Sequence, residues 1–496
     1  MKLIKKIAAI MLSVMMVLGM ASVVSASEGG AEAATGNGKI TITNAIPGQT
    51  YKIYRILELE SYDETTNNYA YKATPEWNSF INSSDATAYF KIDNNGGVTW
   101  IKGNGKPEEE NARVAAFAKL ALNHVKSSAS SIAYNSSATA TSKSVEFSNL
   151  PLGYYLVDSS VGALCSLNTT KPIANIEEKN GVPSVDKNVK NGEAWKKNST
   201  ANIGDIVEFQ TTITAQPGAE KYVLHDKMEK GLTFLNTNEK PLVVKYKSNL
   251  AETTLTSNTQ YTLKTTELTD ECTFEISFAQ EFCNTLKAND QIIVTYSATL
   301  NKKAVIAGEG NKNETWLKYG DSSTTTHSTT TTKTFELPVF KYTMKNSTET
   351  ALAGATFTLS KNTDGAQPIS LVKTSEETYR VATTDETNTM TEVTTTDSGK
   401  FTIEGLSAGT YYLTETKQPA GYNKLSAPIT VVIDENGNIT VNGQKSSVAE
   451  VKVQNNTGTI LPTTGGNGTS LIYFLGAVLA LVSGVVLITK QRMKNS

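Results

Sequence analysis

The stretch KITITNAIPGQTYKIYRILELE, residues 39–60, alternates apolar and polar side chains on both sides of a Pro47-Gly48 pair. An alternation with a period of two is typical of strands that bury one face, and a proline followed by glycine is typical of a tight turn. The stretch therefore predicts a pair of half-buried β-strands.

Similar short strands recur along the rest of the chain. Segments such as DIVEFQTTITA and DQIIVTYSATL alternate in the same way at 183–321, and GATFTLSK and PITVVIDENGNITVNG do so at 335–457. Many short strands separated by Gly, Asn and Pro turns predict β-sandwiches. Helical spacing of apolar residues at 107–127 predicts one helix inside the first block, 37–178.

The fold class predicted from these patterns is mainly β, with tandem Ig-like sandwich domains in an elongated array. The threonine-rich segment STTTHSTTTTKT at 323–334 follows the second block and marks the seam before the third. Such a segment is typical either of an extended linker or of an edge strand, and the sequence leaves both open.

The composition excludes several classes of function. The 496-residue chain carries 46 Lys and Arg against 48 Asp and Glu, which gives no electrostatic basis for binding nucleic acid. Its three histidines, His124, His225 and His327, are scattered, and no metal-ligand spacing or nucleophile motif stands out. We therefore expect no metal, no cofactor and no enzymatic activity.

The two ends of the chain resemble an export signal and a membrane anchor, respectively. Residues 1–26 combine a basic start, an apolar core and a small-residue cleavage site, which is typical of a signal peptide. Residues 471–489 are apolar enough to span a bilayer, and the basic tail 490–496 is expected on the cytoplasmic side. The mature protein is therefore predicted to be exported and held, at least for a time, at the membrane.

The cysteine content predicts little cross-linking. Cys165, Cys272 and Cys283 are too few for a disulfide framework in an exported protein. Strand-like sequence between Cys272 and Cys283 would hold them apart unless the chain turns back. Buried free thiols are favoured, and pairing of these two stays open.

The end of the chain resembles the cell-wall sorting signal of Gram-positive surface proteins. The motif precedes the apolar span and basic tail, and consists of Leu461, Pro462, Thr463, Thr464 and Gly465. The resemblance implies that a sortase cuts between Thr464 and Gly465, holds Thr464 as a thioester and transfers it to an amine. A permanent single-pass anchor is the alternative.

A candidate amine lies between the first two blocks. The segment NIEEKNGVPSVDKNVKNG at 175–192 is similar to the pilin motif region of sortase-assembled pilus backbone subunits. In that family a Lys-Asn pair supplies the amine that receives the next subunit, which implies this role for Lys179. Lys187 and Lys190 are the alternatives, and a solvated linker lysine with no such role is another.

The third block resembles the B-type domain of collagen adhesins and related pilins. The similarity rests on VFKYT, LAGATFTL, GTYYLTETKQPAGY and VKVQNNTG in that order. It implies an intramolecular isopeptide bond, with Lys341 as nucleophile, Glu415 as acid and Asn455 as acceptor. Asn456 is the competing acceptor.

The second block is similar to the A-type domain of the same proteins. The similarity implies a bond from Lys187 in VDKNV to Asn313 in GNKNETWLKYG, with Asn311 as the less favoured acceptor. Asp226 is the chosen acid and Asp205 the alternative. Three residues of the first block occupy loosely comparable places, Lys39, Asp158 and Asn175, and the sequence leaves open whether that domain has its own bond.

These resemblances imply a major pilus subunit joined by a sortase through Thr464 to Lys179 of the next subunit. The implied partners are pilin-type and housekeeping sortases, identical subunits and peptidoglycan, with host surface molecules as further candidates. The implied location is the Gram-positive cell wall, reached through a transient membrane precursor. A monomeric wall-anchored adhesin is the alternative function.

Overall fold

The computed structural model of the chain describes residues 36, 38–63, 68–102, 107–127, 132–159, 162–166, 173–178, 181–249, 251–268, 270–320, 323–446, 449–458 and 468–494. They fall into two compact units, Met1–Thr334 and Phe335–Ser496. Strands dominate the described residues, so the prediction of a mainly β protein is confirmed.

The first domain combines two sheets with one long helix. Its strands are β1 (Gly38–Thr43), β2 (Thr50–Asp63), β3 (Asn68–Ala73), β4 (Phe90–Ile92), β5 (Gly97–Trp100), β6 (Ser136–Thr139), β7 (Ser144–Leu150), β8 (Gly153–Ser159), β9 (Gly162–Ser166) and β10 (Ile173–Glu177). Its helices are a 3-10 turn at Pro75–Trp77, α1 (Asn78–Ile81) and α2 (Pro107–Lys126). The small sheet has the order β10-β1-β7, and the larger one β4-β5-β3-β2-β8-β9 with β6 also on β2.

The two strands predicted at 39–60 form as β1 and β2, but they belong to different sheets. The turn at Pro47-Gly48 carries the chain across the domain, so Ile40 of β1 and Ile53 of β2 meet in one core between the sheets. A second core lies between the larger sheet and α2. Because both faces of that sheet are covered, every residue of β8 is buried.

The second domain is a sandwich of two seven-stranded sheets. Its elements are β11 (Ser184–Asn191), β12 (Ala194–Lys196), β13 (Asn198–Thr200), β14 (Ile206–Thr214), β15 (Val223–Met228), β16 (Leu232–Leu235), β17 (Val243–Lys247), β18 (Glu252–Thr254), β19 (Tyr261–Lys264), β20 (Phe274–Phe278), α3 (Gln280–Cys283), β21 (Gln291–Leu300), β22 (Asn311–Tyr319), β23 (Ser323–Thr324) and β24 (Ser328–Lys333). One sheet has the order β12-β11-β14-β21-β17-β18 with β16 on β21. The facing sheet has the order β13-β24-β22-β15-β20-β19 with β23 on β22.

The threonine-rich segment is part of this sandwich and not a linker after it. Its residues form β24, which pairs with β22 on one side and with the short strand β13 on the other. Thr330, Thr332 and Thr334 are buried, while Thr331 and Lys333 between them are only partly buried. The second sandwich therefore continues to Thr334, beyond the boundary at 321 predicted from sequence.

The third domain is a sandwich of two six-stranded sheets. Its strands are β25 (Phe335–Lys345), β26 (Thr348–Ala351), β27 (Thr356–Ser360), β28 (Leu371–Lys373), β29 (Thr378–Val381), β30 (Val393–Thr394), β31 (Lys400–Leu406), β32 (Gly409–Lys417), β33 (Ile429–Ile433), β34 (Ile439–Val441), β35 (Gln444–Lys445) and β36 (Val451–Gln454). One sheet has the order β26-β25-β31-β29-β28 with β36 on β25, and the other β30-β27-β32-β33-β34-β35. The first and last strands, β25 and β36, are parallel neighbours.

A final helix, α4 (Gly468–Lys494), follows the third sandwich in sequence. Within it, residues Ile472–Gln491 have a mean hydropathy of 2.4 and none of them is buried against the rest of the chain. By length and composition this segment can cross a bilayer. It covers the span predicted at 471–489.

Candidate functional site: buried lysines beside asparagines

Lys187 is fully buried in the core of the second sandwich. It lies on β11, where alternation along the strand turns its side chain inward together with that of Val189. Its ammonium group lies 5.6 Å from the ring centre of Phe209 and 4.9 Å from that of Tyr296. Lysine is almost never fully buried unless it is paired, so the groups around Lys187 determine what it can do.

Three polar residues surround the Lys187 amine. Its Nζ contacts Asp226 Oδ2, on β15 of the facing sheet, and Tyr296 Oη on β21. Tyr296 also donates a hydrogen bond to Asp226 Oδ2 at 2.5 Å and accepts one from Asn313 Nδ2 at 3.1 Å. The structure thus brings together the predicted lysine, acid and asparagine, with a tyrosine between them.

The electrostatics of this cluster favour neutral forms. Burial lowers the pKa of Lys187, and the attraction of Asp226 only partly offsets this. Burial also raises the pKa of Asp226. Both shifts move the pair from ammonium and carboxylate towards amine and carboxylic acid, the forms needed for nucleophilic attack and for proton donation.

The Asn313 carbonyl is left available. Among the described residues, neither Asn313 Oδ1 nor Asp226 Oδ1 has a hydrogen-bond partner, although both atoms are buried. Asn311 differs, because its amide bonds to backbone groups of Val305 and Thr332. Asp205 also differs, since its carboxylate accepts hydrogen bonds from Asn202 within a turn. The geometry therefore favours Asn313 as the acceptor and Asp226 as the acid.

The third sandwich contains a simpler cluster. Lys341 on β25, Glu415 on β32 and Asn455 directly after β36 are each at most 1% exposed. Lys341 Nζ contacts Asn455 Oδ1 and lies 3.1 Å from Glu415 Oε1. Asn455 Nδ2 donates to the same Glu415 oxygen at 2.9 Å. Each of the three side chains therefore contacts the other two.

Backbone hydrogen bonds hold Glu415 and Asn455 of the third-sandwich cluster in place. Glu415 Oε2 accepts a hydrogen bond of 2.8 Å from the backbone N–H of Leu425, and Asn455 N–H donates to Tyr342 O at 3.0 Å. Burial lowers the pKa of Lys341, with the attraction of Glu415 acting against it. Asn456, the alternative acceptor, is exposed and accepts a hydrogen bond from Gln454 instead.

The two clusters connect different parts of their domains. Lys187 and Asn313 lie on facing sheets, whereas Lys341 lies on β25 and Asn455 directly follows β36, the neighbouring strand of the same sheet.

Tyr296 was not singled out from the sequence. The alternation of β21 would have indicated it, because Ile292, Val294 and Tyr296 share the buried face of that strand.

The three comparable residues of the first domain are not brought together. Lys39 is partly exposed and pairs with Glu146 at 2.5 Å. Asp158 is buried and lies 3.2 Å from Lys126, and Asn175 is exposed on β10.

The residues predicted for intermolecular joining fall outside the described part of the chain. These are Lys179, and the motif from Leu461 to Gly465 that includes Thr464. Lys190, an alternative to Lys179, is 39% exposed and pairs with Glu208 Oε2 at 3.1 Å.

Two family models match the chain. Residues 203–323 match the Gram-positive pilin backbone subunit 2, Cna-B-like domain, and residues 339–447 match the SpaA prealbumin-like fold domain. One matched region therefore resembles a Gram-positive pilin backbone domain and the other a prealbumin-like fold domain. The first contains Asp226, Tyr296 and Asn313, and the second contains Lys341 and Glu415.

Known proteins are similar to parts of this chain. The trypsin-resistant surface T6 protein of Streptococcus pyogenes serotype M6 is 23% identical over 254 residues, and the matched region spans 49% of this chain and 44% of that protein. The pilus 2b backbone protein of group B streptococcus is 25% identical, covering 56% of this chain and 99% of that structure with a TM-score of 0.41. The T6 backbone pilin structure is 18% identical, covering 81% of both chains with a TM-score of 0.48.

Proposed function

We propose that this chain is the structural backbone subunit of a covalently polymerised surface pilus, stiffened by two intramolecular isopeptide bonds. The proposal is supported by the two matched pilin domains, each of which includes residues of one buried cluster. The observation that carries it is the mutual contact of Lys341, Glu415 and Asn455 in a fully buried site.

The proposed reaction in each sandwich joins a lysine amine to an asparagine side-chain carbonyl. The Lys341 Nζ lone pair attacks Cγ of Asn455, while Glu415, which contacts both the amine and the amide nitrogen, relays the proton that the amine loses to that nitrogen. The C–N bond to the asparagine nitrogen then breaks and ammonia leaves, carrying the proton lost by the amine. An amide links the two side chains, and Glu415 is restored.

The second sandwich would use the same chemistry with one extra group. Asp226 is the acid, and the Tyr296 hydroxyl contacts the amine, the acid and the amide nitrogen together. We assign Tyr296 the role of positioning these three groups. Each of the two bonds forms only once and consumes the side chains that it joins, so this reaction does not make the protein an enzyme.

The bonds would suit a protein that bears tension. Lys187 and Asn313 are 126 positions apart, and Lys341 and Asn455 are 114 apart. Closing a loop of that length stabilises the fold by on the order of 5 kcal/mol in the chain-entropy treatment used for disulfides. Unlike a disulfide, the amide is not reduced, and it transmits force between its strands without loading the rest of the sheet.

Polymerisation is proposed from the sequence motifs. A pilin-type sortase would cut after Thr464 and transfer it to Lys179 of the next subunit, and a housekeeping sortase would attach the finished fibre to peptidoglycan. The apolar segment within α4 supports a transient membrane stage, since it can hold the precursor at the bilayer. Adhesion to host surfaces is the proposed role of the fibre.

The alternative is a wall-anchored monomeric adhesin, which shares the sandwiches and the sorting motif but needs no acceptor lysine. Replacing Lys179 by alanine separates the two functions, with Lys190→Ala as the matched control. We expect a detergent-resistant polymer ladder in the parent and in Lys190→Ala cells, and monomer alone in Lys179→Ala cells. A ladder in Lys179→Ala cells would remove Lys179 from the account, and monomer in the parent would favour the adhesin.

A further inference from the structure

His225 is buried on the outer face of the second sandwich. Its neighbours Leu224 and Asp226 point into the core, so alternation along β15 turns the imidazole to the opposite face. A side chain there would normally meet solvent, yet His225 is only 2% exposed. Other side chains and a loop therefore cover it.

A row of side chains crosses this face. Glu275 on β20 and Trp316 on β22 are the direct cross-strand neighbours of His225. The Trp316 indole stacks on the imidazole at 5.2 Å with an angle of 7° between the rings, and its other neighbour, His327, stacks on it at 4.6 Å. Stacking fixes the His225 ring so that Nδ1 points towards Glu275 and the loop before β20.

That loop places two more candidate ligands beside Nδ1. Asp270 Oδ2 lies 2.8 Å from His225 Nδ1, Cys272 Sγ lies 3.6 Å from it, and Glu275 Oε1 lies 3.3 Å from it. The ligand atoms of His225, Asp270 and Cys272 all lie within 4.8 Å of one another. One imidazole, one thiol and one carboxylate thus lie close together, and a second carboxylate, that of Glu275, approaches the same imidazole nitrogen.

We propose that His225, Asp270 and Cys272, with Glu275 as the fourth ligand, form a zinc-binding site. Nitrogen, sulfur and carboxylate oxygen are the donor types that zinc takes in proteins, usually four in a tetrahedron. Zinc bonds of about 2.0–2.3 Å place ligand atoms roughly 3.3–3.7 Å apart, and the three separations from His225 Nδ1, 2.8–3.6 Å, lie close to that range.

The charges around the cluster suit a divalent cation. Asp270 Oδ1 is buried without a hydrogen-bond partner among the described residues. Lys318 Nζ lies 3.1 Å from Asp270 Oδ2 and would offset the excess negative charge of two carboxylates and a thiolate around one zinc.

Binding would release one proton. Zinc would bind the Cys272 sulfur as thiolate, and the thiol proton would pass to solvent. The imidazole proton would move from Nδ1 to Nε2 with no net change. No electrons are transferred.

The site would fasten the loop before β20 to the face of the sandwich. Cys272 and Cys283 are both free thiols, and exported proteins meet oxidising conditions. A zinc-bound thiolate is shielded from oxidation, so the metal would protect Cys272 and hold the loop without a disulfide.

The test uses the full chain purified in detergent, stripped of metal and loaded separately with zinc or cobalt. Zinc content is measured after excess metal is removed, and the cobalt form is examined for thiolate-to-cobalt charge-transfer absorption. Cys272→Ser and His225→Gln remove ligands, whereas Glu271→Gln is the control, because Glu271 is the exposed neighbour of Asp270 and pairs with Lys227.

We expect about one zinc per parent chain, thiolate absorption with cobalt, and the same results for Glu271→Gln. Affinity should fall at least about 100-fold in Cys272→Ser and His225→Gln, the upper end of the loss caused by mutating groups outside the ligand shell. If the cobalt-loaded parent chain shows no thiolate-to-cobalt absorption, the proposal is wrong, whatever the variants do. Undiminished zinc binding by Cys272→Ser would overturn it as well.

Discussion

Lys341 and Asn455 are in side-chain contact inside the third sandwich although 114 positions separate them in the chain. They meet because the first and last strands of the domain, β25 and β36, lie side by side in parallel. The pairing aligns Lys341 with Val453, which leaves Asn455 just beyond the end of β36, within reach of the lysine amine. A bond between them would join the two ends of the domain and enclose almost all of its residues in one covalent loop.

Replacing Lys341 by methionine should prevent the bond in the third sandwich and leave the one in the second. Methionine keeps an unbranched apolar side chain, so the variant should fold but lose roughly 5 kcal/mol of stability with the cross-link. Intact mass is the measurement: the parent should be lighter than its sequence by two ammonia molecules and the variant by one. Lys345→Ala, an exposed change on the same strand, should retain both losses. An equal deficit in Lys341→Met and the parent would refute the assignment.

Replacing Tyr296 by phenylalanine should slow the bond in the second sandwich alone. The variant keeps the ring against Phe209 but loses the hydroxyl that contacts Lys187, Asp226 and Asn313. Losing one such hydrogen-bonding group costs about 1–3 kcal/mol, which corresponds to a rate roughly 5-fold to 150-fold slower.

The fraction of Lys187–Asn313 linkage at short times after synthesis measures this effect. Tyr246→Phe is the matched control, because it removes a hydroxyl bonded to Asp290 elsewhere in the same sandwich. If linkage forms equally fast in Tyr296→Phe and Tyr246→Phe, the hydroxyl has no positioning role. The Lys341–Asn455 bond should be unaffected in either variant.

Glu386 should make the stability of the third sandwich sensitive to acid. Partial burial acts to raise the pKa of Glu386, but hydrogen bonds from Arg380 and Thr383 outweigh it and lower the pKa to about 2. A carboxyl group with a lowered pKa in the folded state stabilises the fold above its unfolded pKa of 4.5. That contribution is lost as the pH falls from 4.5 towards 2.

Glu386→Gln removes this contribution and leaves the buried Arg380 without its carboxylate. We expect it to cost about 1–3 kcal/mol at pH 7 and to flatten the fall in stability between pH 4.5 and 2. Denaturant midpoints over that pH range provide the measurement, with the exposed Glu435→Gln as control. If the stability of Glu386→Gln falls as steeply between pH 4.5 and 2 as that of the parent, Glu386 is not the source of the acid sensitivity.

Gly399 should be required for the position of Lys341. Its backbone lies at φ +69°, and an added Cβ would stand 2.4 Å from the backbone oxygen of Lys341. Gly399 O also accepts the Lys341 N–H at 2.7 Å, so displacement of one residue moves the other. Gly399→Ala should therefore cost about 1–3 kcal/mol and reduce Lys341–Asn455 linkage.

Gly443→Ala controls for backbone strain alone. Gly443 has a similar φ of +81°, but nothing lies within 4 Å of an added Cβ. Its substitution should cost less and leave the linkage complete. Equal effects of the two alanines would show that strain, and not the contact with Lys341, governs the result.

Much of the third-sandwich site could be predicted from sequence because its parts lie in ordered motifs. Lys341, Glu415 and Asn455 were each assigned from a family resemblance, and the fold places them in contact. The second cluster required a choice between Asn311 and Asn313. Their side chains are equally buried, and the hydrogen bonds of Asn311 to backbone, which the sequence does not reveal, distinguish them.

Other features depend on contacts that no local pattern encodes. The threonine segment became β24 because β13 and β22 lie on either side of it, and its composition favours a linker equally well. The histidines looked scattered because His225 and His327 meet only through Trp316. Cys272 reaches His225 from a loop 47 positions away. Pairings between distant strands produced each of these features.

Peptide mapping of the mature protein by tandem mass spectrometry tests the two proposed isopeptide bonds most directly. We expect two branched peptides, one joining Lys341 to Asn455 and one joining Lys187 to Asn313, each lighter by one ammonia than the two peptides it joins. Trypsin should fail to cut after either linked lysine. Unlinked peptides that carry free Lys341 and unmodified Asn455 at full abundance would contradict the proposed bond between these two residues.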